Sequence, residues 1–377
     1  EKHQWWHRRR EALLAALGDR DAAYVYDGAT IEASAGALKG LQSLSRVFYA
    51  LKANANDDVL RRIEAQGLSF ECVSPGEVER VRRLFPALDP DRLLFTPNFA
   101  PRHEYAWALE QGVRLTVDNL YVMREWPELF RGREVFVRID TGRAHGHHQH
   151  VRTAGVHSKF GVPLFEVDEL RRAVEAAGAT VVGLHAHMGS GNFQVSSWAE
   201  TAAALAGVAQ SFPKVRILDL GGGLGVPERL DQPPVDLAAL DAALAAFKAA
   251  HPQFQLWMEP GRYLVASAGV LLARVTQLKG KGAVRYAGVA TGMNSLIRPA
   301  LYGAYHEIVN LTSIDQPPAE VVNVVGPICE TGDQLGHERL LPVTREGDVL
   351  LIANAGAYGY AMSSNYNLRA PAGEVMI

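Results

Sequence analysis

Cysteine is nearly missing from this sequence: 377 residues contain only Cys72 and Cys329. Two such distant residues can form neither a disulfide framework nor a CxxC-type zinc site, so a reducing cytoplasm is the expected compartment. An excess of one charge is missing too. The 38 Lys plus Arg face 41 Asp plus Glu, for a net charge of -3, and no global field favours a nucleic acid or an anionic membrane surface as partner. Long apolar runs are also lacking. The richest stretch, Leu237 to Ala250, carries Asp241 and Lys248 at helical spacing, and no window approaches the roughly 18 apolar residues of a membrane span. The basic run Arg8 to Arg10 is followed by Glu11, Asp19, Arg20 and Asp21, which is too charged for a signal-peptide core, so no export is expected. The first residue is Glu1 rather than Met, as expected of either a trimmed chain or a piece of a longer protein.

What is present is a repeated unit. A short β-rich run is followed by a turn containing Gly, Pro, Asn or Asp and then by a helix-patterned stretch. Eight such runs occur, at Val47 to Lys52, Ser69 to Val73, Arg92 to Thr96, Arg114 to Asp118, Val135 to Asp140, Thr180 to His187, Val215 to Leu220 and Gln255 to Glu259. Helical patterns follow most of them, at Asp57 to Gln66, Gly76 to Phe85, Arg102 to Gln111, Glu166 to Ala177, Trp198 to Gln210 and Leu237 to Ala250. This alternation predicts a (β/α)8 TIM-type barrel. After Gly261 the pattern changes to β-rich runs at Val270 to Gln277, Val284 to Val289, Glu320 to Val325 and Asp348 to Asn354, with a helix expected near Tyr302 to Ile308. A second, mostly β domain is therefore expected. It takes residues 266–377, and 1–27 because Ala22 to Tyr26 reads as one of its strands, leaving 28–265 for the barrel.

In a (β/α)8 barrel the active site lies at the C-terminal ends of the strands. Unusual residues collect there: Lys52 ends the first run, His187 the sixth, Gly221 to Gly223 follow the seventh, and Glu259-Pro260-Gly261-Arg262 close the eighth. A glycine run lets backbone N–H groups approach a phosphate, although a tight turn with no ligand has the same composition. A lone lysine is ordinarily solvated surface. At a strand end facing a phosphate site, a partly desolvated amine has a lowered pKa and can form a Schiff base with an aldehyde. Pyridoxal phosphate supplies both aldehyde and phosphate.

Seven ordered motifs carry a resemblance: YALKAN from Tyr49, HMGSG from His187, GGGLG from Gly221, EPGR from Glu259, RPALYGAYHEI from Arg298, CETGD from Cys329 and AGAY from Ala355. Together they resemble the fold-type III pyridoxal phosphate-dependent decarboxylases, whose alanine racemase-like barrel is joined to a β-domain. The resemblance runs from about Tyr24 to Val375. It implies a pyridoxal 5'-phosphate enzyme that decarboxylates meso-2,6-diaminopimelate at its D-centre to L-lysine. A decarboxylase of ornithine, arginine or carboxynorspermidine is the alternative. A cofactor carrier of the same barrel type would lack the β-domain and CETGD, and a racemase would use a tyrosine base opposite the lysine.

Carried over residue by residue, the resemblance implies that Lys52 holds the cofactor and that Glu259 faces its pyridine nitrogen. His187 would stack on the ring, while Ser190, Gly222, Gly223, Gly261 and Tyr358 cradle the phosphate. Arg262, and Arg298 with Tyr302 and Tyr358, would bind substrate carboxylates, and Glu330 the distal ammonium. Cys329 would be the proton donor, reaching the partner's site in a homodimer with shared active sites.

Three places depart from the family pattern. An aspartate-bearing motif on the second strand is here Phe70-Glu71-Cys72, which leaves Glu71 without a role, and Ser295 stands where Asp is common. The loop Thr141 to Lys159 carries His145, His147, His148, His150 and His157. With neither Cys nor clustered carboxylates it reads as a polar flap by the active site rather than a metal site, and no metal is expected. Trp5 and Trp6 are expected to pack on the β-domain, Asp118 and Asp140 to cap turns or orient barrel neighbours, and Cys72 to be a small buried residue.

Overall fold

The computed structural model describes residues 5–142, 158–229 and 231–377. All eight expected barrel strands form: Arg46–Ala50, Ser69–Cys72, Leu93–Phe95, Arg114–Val117, Glu134–Asp140, Thr180–His185, Ile217–Asp219 and Gln255–Met258. Each is parallel to the next, and the eighth pairs with the first, with Trp257 opposite Arg46, so the sheet closes. A two-residue strand, Val162–Pro163, adds to the end of the fifth. Apolar residues such as Tyr49, Phe70, Leu115, Leu184 and Met258 belong to the main core cluster. Alternate positions point inward, where Phe48, Leu94, Phe136 and Trp257 form a separate plug. The guanidinium groups of Arg46 and Arg114 lie 5.2 and 5.3 Å from the Trp257 ring. The plug is tight enough to require Gly183, since a Cβ there would lie 2.2 Å from the Phe136 ring.

Strand ends come slightly earlier than the sequence suggests. Lys52 sits in a 3-10 turn, Leu51–Ala53, rather than on the first strand. The sixth strand stops at His185, two residues short of His187. In both cases the chain turns across the barrel mouth, which carries the side chain over the opening.

The second sheet has eight strands. Its spine is Gly269–Lys281, whose first half is buried and second half exposed. Leu271 pairs with Tyr24 on one side and Ile352 on the other; the register then shifts between Val275 and Gln277, and the strand continues against Val284–Val289. The expected Ala22–Tyr26 strand thus belongs to this sheet. The helix expected near Tyr302 to Ile308 is misplaced: the helix is Arg298–Tyr302, ended by Gly303 in the left-handed region, and Ile308–Asn310 is a strand. Proline at an N-terminal helix position and glycine just past the C-terminus account for the shift. Trp5 and Trp6 are buried with Leu13 and Leu17 against Val25, Val270 and Leu351 of the sheet. Among the described residues no helix is long and apolar enough to cross a membrane.

Candidate active site

Two residues beyond the plug, the inward positions change chemistry. Leu94 is followed by Thr96, Phe136 by Arg138, Gly183 by His185 and Trp257 by Glu259, and these four line one cavity of about 400 Å³ at the barrel mouth. Lys52, Glu71, His187, Ser190, Gly222, Gly223, Gly261, Arg262, Tyr302 and Tyr358 line it too. Of the residues to which the resemblance gives a site role, Arg298, Cys329 and Glu330 lie elsewhere.

Lys52 reaches into this space. Its Nζ lies 2.9 Å from Glu71 Oε2, a carboxylate 1% exposed, while its own side chain is 44% exposed to the cavity. Register explains the pairing, since Ala50 lies opposite Glu71 on neighbouring strands. Burial would lower the ammonium pKa as expected from sequence, but Glu71, then Tyr358 and Glu259, outweigh it and hold it above its ordinary value. The correction follows from neighbouring carboxylates in a site of low dielectric. Thr96 Oγ1 donates to the other oxygen of Glu71.

Opposite, Glu259 Oε2 lies 3.1 Å from His185 Nε2. Burial would raise the Glu259 carboxyl, but His185 first and then Lys52 hold it below the ordinary carboxylate range. Asp219 behind it goes the other way, pushed well up by burial and by the Glu259 charge. A proton held by this acid pair therefore belongs to Asp219. The two side chains share a hydrogen bond, with the protonated Asp219 donating to the Glu259 carboxylate.

His187 is kept neutral, its pKa driven well below the usual value by burial first and then by Arg138 and Lys52. Its Nδ1 accepts from the Gly222 N–H at 3.2 Å, so that amide is directed at the imidazole. The glycines here are steric necessities: a Cβ on Gly222 would lie 2.5 Å from the Glu259 carbonyl, and one on Gly223 2.2 Å from the Gly189 carbonyl. Tyr358 is held at φ 55, in the left-handed region, by an amide bonded to the Ala53 carbonyl at 2.8 Å. Such a conformation costs about 1–2 kcal/mol for a residue with a Cβ. It sets the Tyr358 ring 4.7 Å under the Arg262 guanidinium.

Arg298 lines an adjoining cavity of about 400 Å³ that shares Ser190, Gly191, Arg262 and Tyr302 with the first. It is 7% exposed, and among the described residues no carboxylate lies within ion-pair distance of it. Burial, then Arg262, lowers its pKa to about 10; at neutral pH it remains a cation.

Cys329 and Glu330 are exposed on the β-domain, outside both cavities. Their loop is fixed by Asp333, whose carboxylate accepts from the amides of Met293 at 2.6 Å and Ile328 at 2.7 Å. The histidines 145–157 lie outside the described residues. Cys72 is buried, Asp118 accepts from the Gly161 amide at 3.2 Å, and Asp140 caps a turn through Gly142 at 2.8 Å. Ser295 is structural, its Oγ taking the Ala372 amide at 2.9 Å.

Sequence reasoning gave Glu71 no role and passed over Arg138, His185 and Asp219. An ionisable residue alternating with large apolar ones near a strand's C-terminal end was the available signal, present in Phe136-Val137-Arg138 and Ile217-Leu218-Asp219. The site as built fits pyridoxal phosphate. A lysine faces the cavity, a glycine lip permits close approach, and an anionic Glu259 lines the opposite wall, where its carboxylate can accept from a pyridinium N–H.

Comparison with known proteins agrees. Residues 29–266 match the family described as pyridoxal-dependent decarboxylase, pyridoxal binding domain. Diaminopimelate decarboxylase of Methanothermobacter thermautotrophicus is 38% identical over 90% of this chain and 82% of its own length. That of Pseudomonas aeruginosa is 38% identical over 94% of this chain and 87% of its own. Diaminopimelate decarboxylase of Helicobacter pylori, solved with L-lysine, superposes with a TM-score of 0.88 at 27% identity, over 97% of this chain and 93% of that one.

Proposed function

The chain belongs to the pyridoxal-dependent decarboxylase family, and from that premise we infer that it removes the D-centre carboxylate of meso-2,6-diaminopimelate, giving L-lysine and carbon dioxide. One observation carries the substrate: the buried Arg298 beside the Lys52 cavity, with no carboxylate within ion-pair distance among the described residues. Diaminopimelate has a second amino-acid head group at its far end, with a carboxylate that Arg298 and Tyr302 can hold. Ornithine and lysine have only an ammonium there.

Pyridoxal phosphate, when bound, supplies a conjugated ring that accepts the electron pair left at Cα as carbon dioxide departs. Lys52 would hold the cofactor's aldehyde carbon, with Glu71 beside it to take up and return the amine proton. Glu259, kept anionic by its neighbours, would keep the ring nitrogen protonated. His187, neutral and thus free of any desolvated charge, would cover the ring face. Ser190, Gly222, Gly223, Gly261 and Tyr358 would surround the phosphate, Gly222 by its missing Cβ rather than by its amide. Arg262, resting on Tyr358, would meet a substrate carboxylate.

The barrel would be residues 28–265 and the β-domain 1–27 plus 266–377. The protein would be a cytoplasmic homodimer in which a second copy brings Cys329 to protonate Cα and Glu330 to the distal ammonium. Both residues are exposed on the chain that carries them, as an intersubunit role requires.

The test is carbon dioxide release from meso-diaminopimelate compared with lysine, ornithine and arginine. Stranding one charge of a buried pair costs about 2–5 kcal/mol, so kcat/KM should favour diaminopimelate by roughly 30-fold to several thousand-fold. Arg298→Ala should erode that ratio. Comparable kcat/KM for ornithine or lysine in the unmutated enzyme would refute the assignment in favour of a broader basic amino-acid decarboxylase.

A further inference from the structure

We propose that His306 is a positioning residue that sets the Arg298 guanidinium for the distal carboxylate of the substrate, an inference that rests on the substrate reading above. His306 is fully buried eight residues after Arg298. Its Nδ1 lies 2.8 Å from the Ala353 carbonyl oxygen. A carbonyl can only accept, so Nδ1 carries the hydrogen and Nε2 presents a lone pair. That lone pair faces Arg298 Nη1 at 3.1 Å, so the arginine donates and the imidazole accepts. A second proton on Nε2 would point at a guanidinium. Accordingly burial, and then Arg298, push the His306 pKa down to about 3.

Neutrality is what makes this arrangement useful. A buried arginine left without hydrogen bonds would be both costly and loosely aimed. A carboxylate partner would aim it but also cancel its charge and close the anion site. A neutral acceptor, itself locked by a main-chain carbonyl, fixes one edge of the fork and adds no negative charge of its own, and an acid across the cavity, Glu228, acts on Arg298 from beyond ion-pair distance. Only Nη1 is committed to His306 while Arg298 lines the adjoining cavity, so the other donors of the guanidinium fork remain for a ligand carboxylate.

The test separates KM from kcat. His306→Phe keeps a planar ring but removes the acceptor; it should raise KM for meso-diaminopimelate about tenfold and change kcat less than about twofold, as expected for a hydrogen bond to a charged group. In an Arg298→Ala background the same substitution should leave KM within about twofold, because the residue it positions is gone. A second pair decides the matter even if the Phe variant does not fold. His306→Gln places an amide oxygen near the position of Nε2 and should keep KM within about threefold, whereas His306→Asn, whose shorter amide reaches the position of Nδ1, should raise it. Equal KM for Gln and Asn variants, or a Phe variant that loses kcat with KM unchanged, overturns the role of His306. If instead Arg298→Ala itself leaves KM unchanged, the substrate reading fails and not the His306–Arg298 geometry.

Discussion

The lower and upper parts of the barrel interior are made by the same strands, two residues apart. Trp257 and Glu259 lie on consecutive inward positions of the eighth strand run, as Phe136 and Arg138 do on the fifth. Below, aromatic rings interlock with a glycine where no side chain fits. Above, Lys52, Glu71, Arg138, His185 and Glu259 face one open space. The lower layer is filled by rings in contact, while the upper layer leaves a cavity of about 400 Å³ lined by charged groups. Packing and chemistry are thus separated along each strand by a single period of the pleat.

The largest effect expected from breaking the upper layer comes from Lys52. Lys52→Ala should abolish turnover, and so should Cys329→Ala, although these residues belong to different domains and do not share a cavity in one chain. Mixing the two inactive proteins sharpens the point. If subunits exchange at random, about a quarter of wild-type sites should return, since half the dimers are hybrids and one of the two sites in each hybrid keeps both residues. An inactive mixture despite demonstrated exchange removes Cys329 from the shared site.

A second test sets the two layers against each other on one strand. Glu259→Ala should lower kcat by about 10²- to 10³-fold, the size of a preorganised electrostatic contact, with little loss of stability. Trp257→Ala should do the reverse, costing about 3–5 kcal/mol through the cavity it leaves while kcat in the folded fraction stays near wild type. Denaturant titration and steady-state kinetics on both variants are sufficient. A Trp257→Ala enzyme of wild-type stability, or a Glu259→Ala enzyme with wild-type kcat, would show that the division does not hold.

The two layers also differed in how readily sequence disclosed them. All eight barrel strands were legible, because β-branched and aromatic runs stood between clear turn residues. Glycines and the cofactor lysine were legible through motifs. The Lys52–Glu71 pair was not, because it depends on a register between strands 19 residues apart. The helix Gly28–Lys39 was missed since GATIEASAGALK offers few large apolar residues to show a period. The strand Gln334–Leu341 was missed because Gly336 to Arg339 reads as a polar turn, with Glu338 at φ 47. Arg298 was legible through its motif as a buried carboxylate binder, but its His306 partner was not, because that contact depends on how the chain folds back after Gly303.

The smallest effect concerns a carboxyl just outside the charged upper layer. Glu77 sits in the first turn of the helix Pro75–Leu84, where Ser74 Oγ accepts its amide at 3.3 Å and its own Oε2 accepts the Val73 amide at 2.7 Å. This resembles a capping box. Burial raises its pKa from 4.5 to about 7, with Glu71 adding to the rise and the Val73 amide opposing it. A carboxyl whose folded-state pKa exceeds its unfolded value binds its proton more tightly when folded. Its contribution to stability is therefore greatest at low pH and is lost as pH rises from about 4.5 through about 7. The full span corresponds to at most about 3 kcal/mol. Glu77→Gln keeps an oxygen for the Val73 amide and has no charge to desolvate. Its unfolding free energy should match wild type near pH 4.5 and exceed it increasingly up to pH 8, reaching about 1–3 kcal/mol. Parallel stability curves across that range would mean that Glu77 is solvated as well in the folded protein as in the unfolded chain, and that its place beside Glu71 and Lys52 imposes no pH-dependent cost.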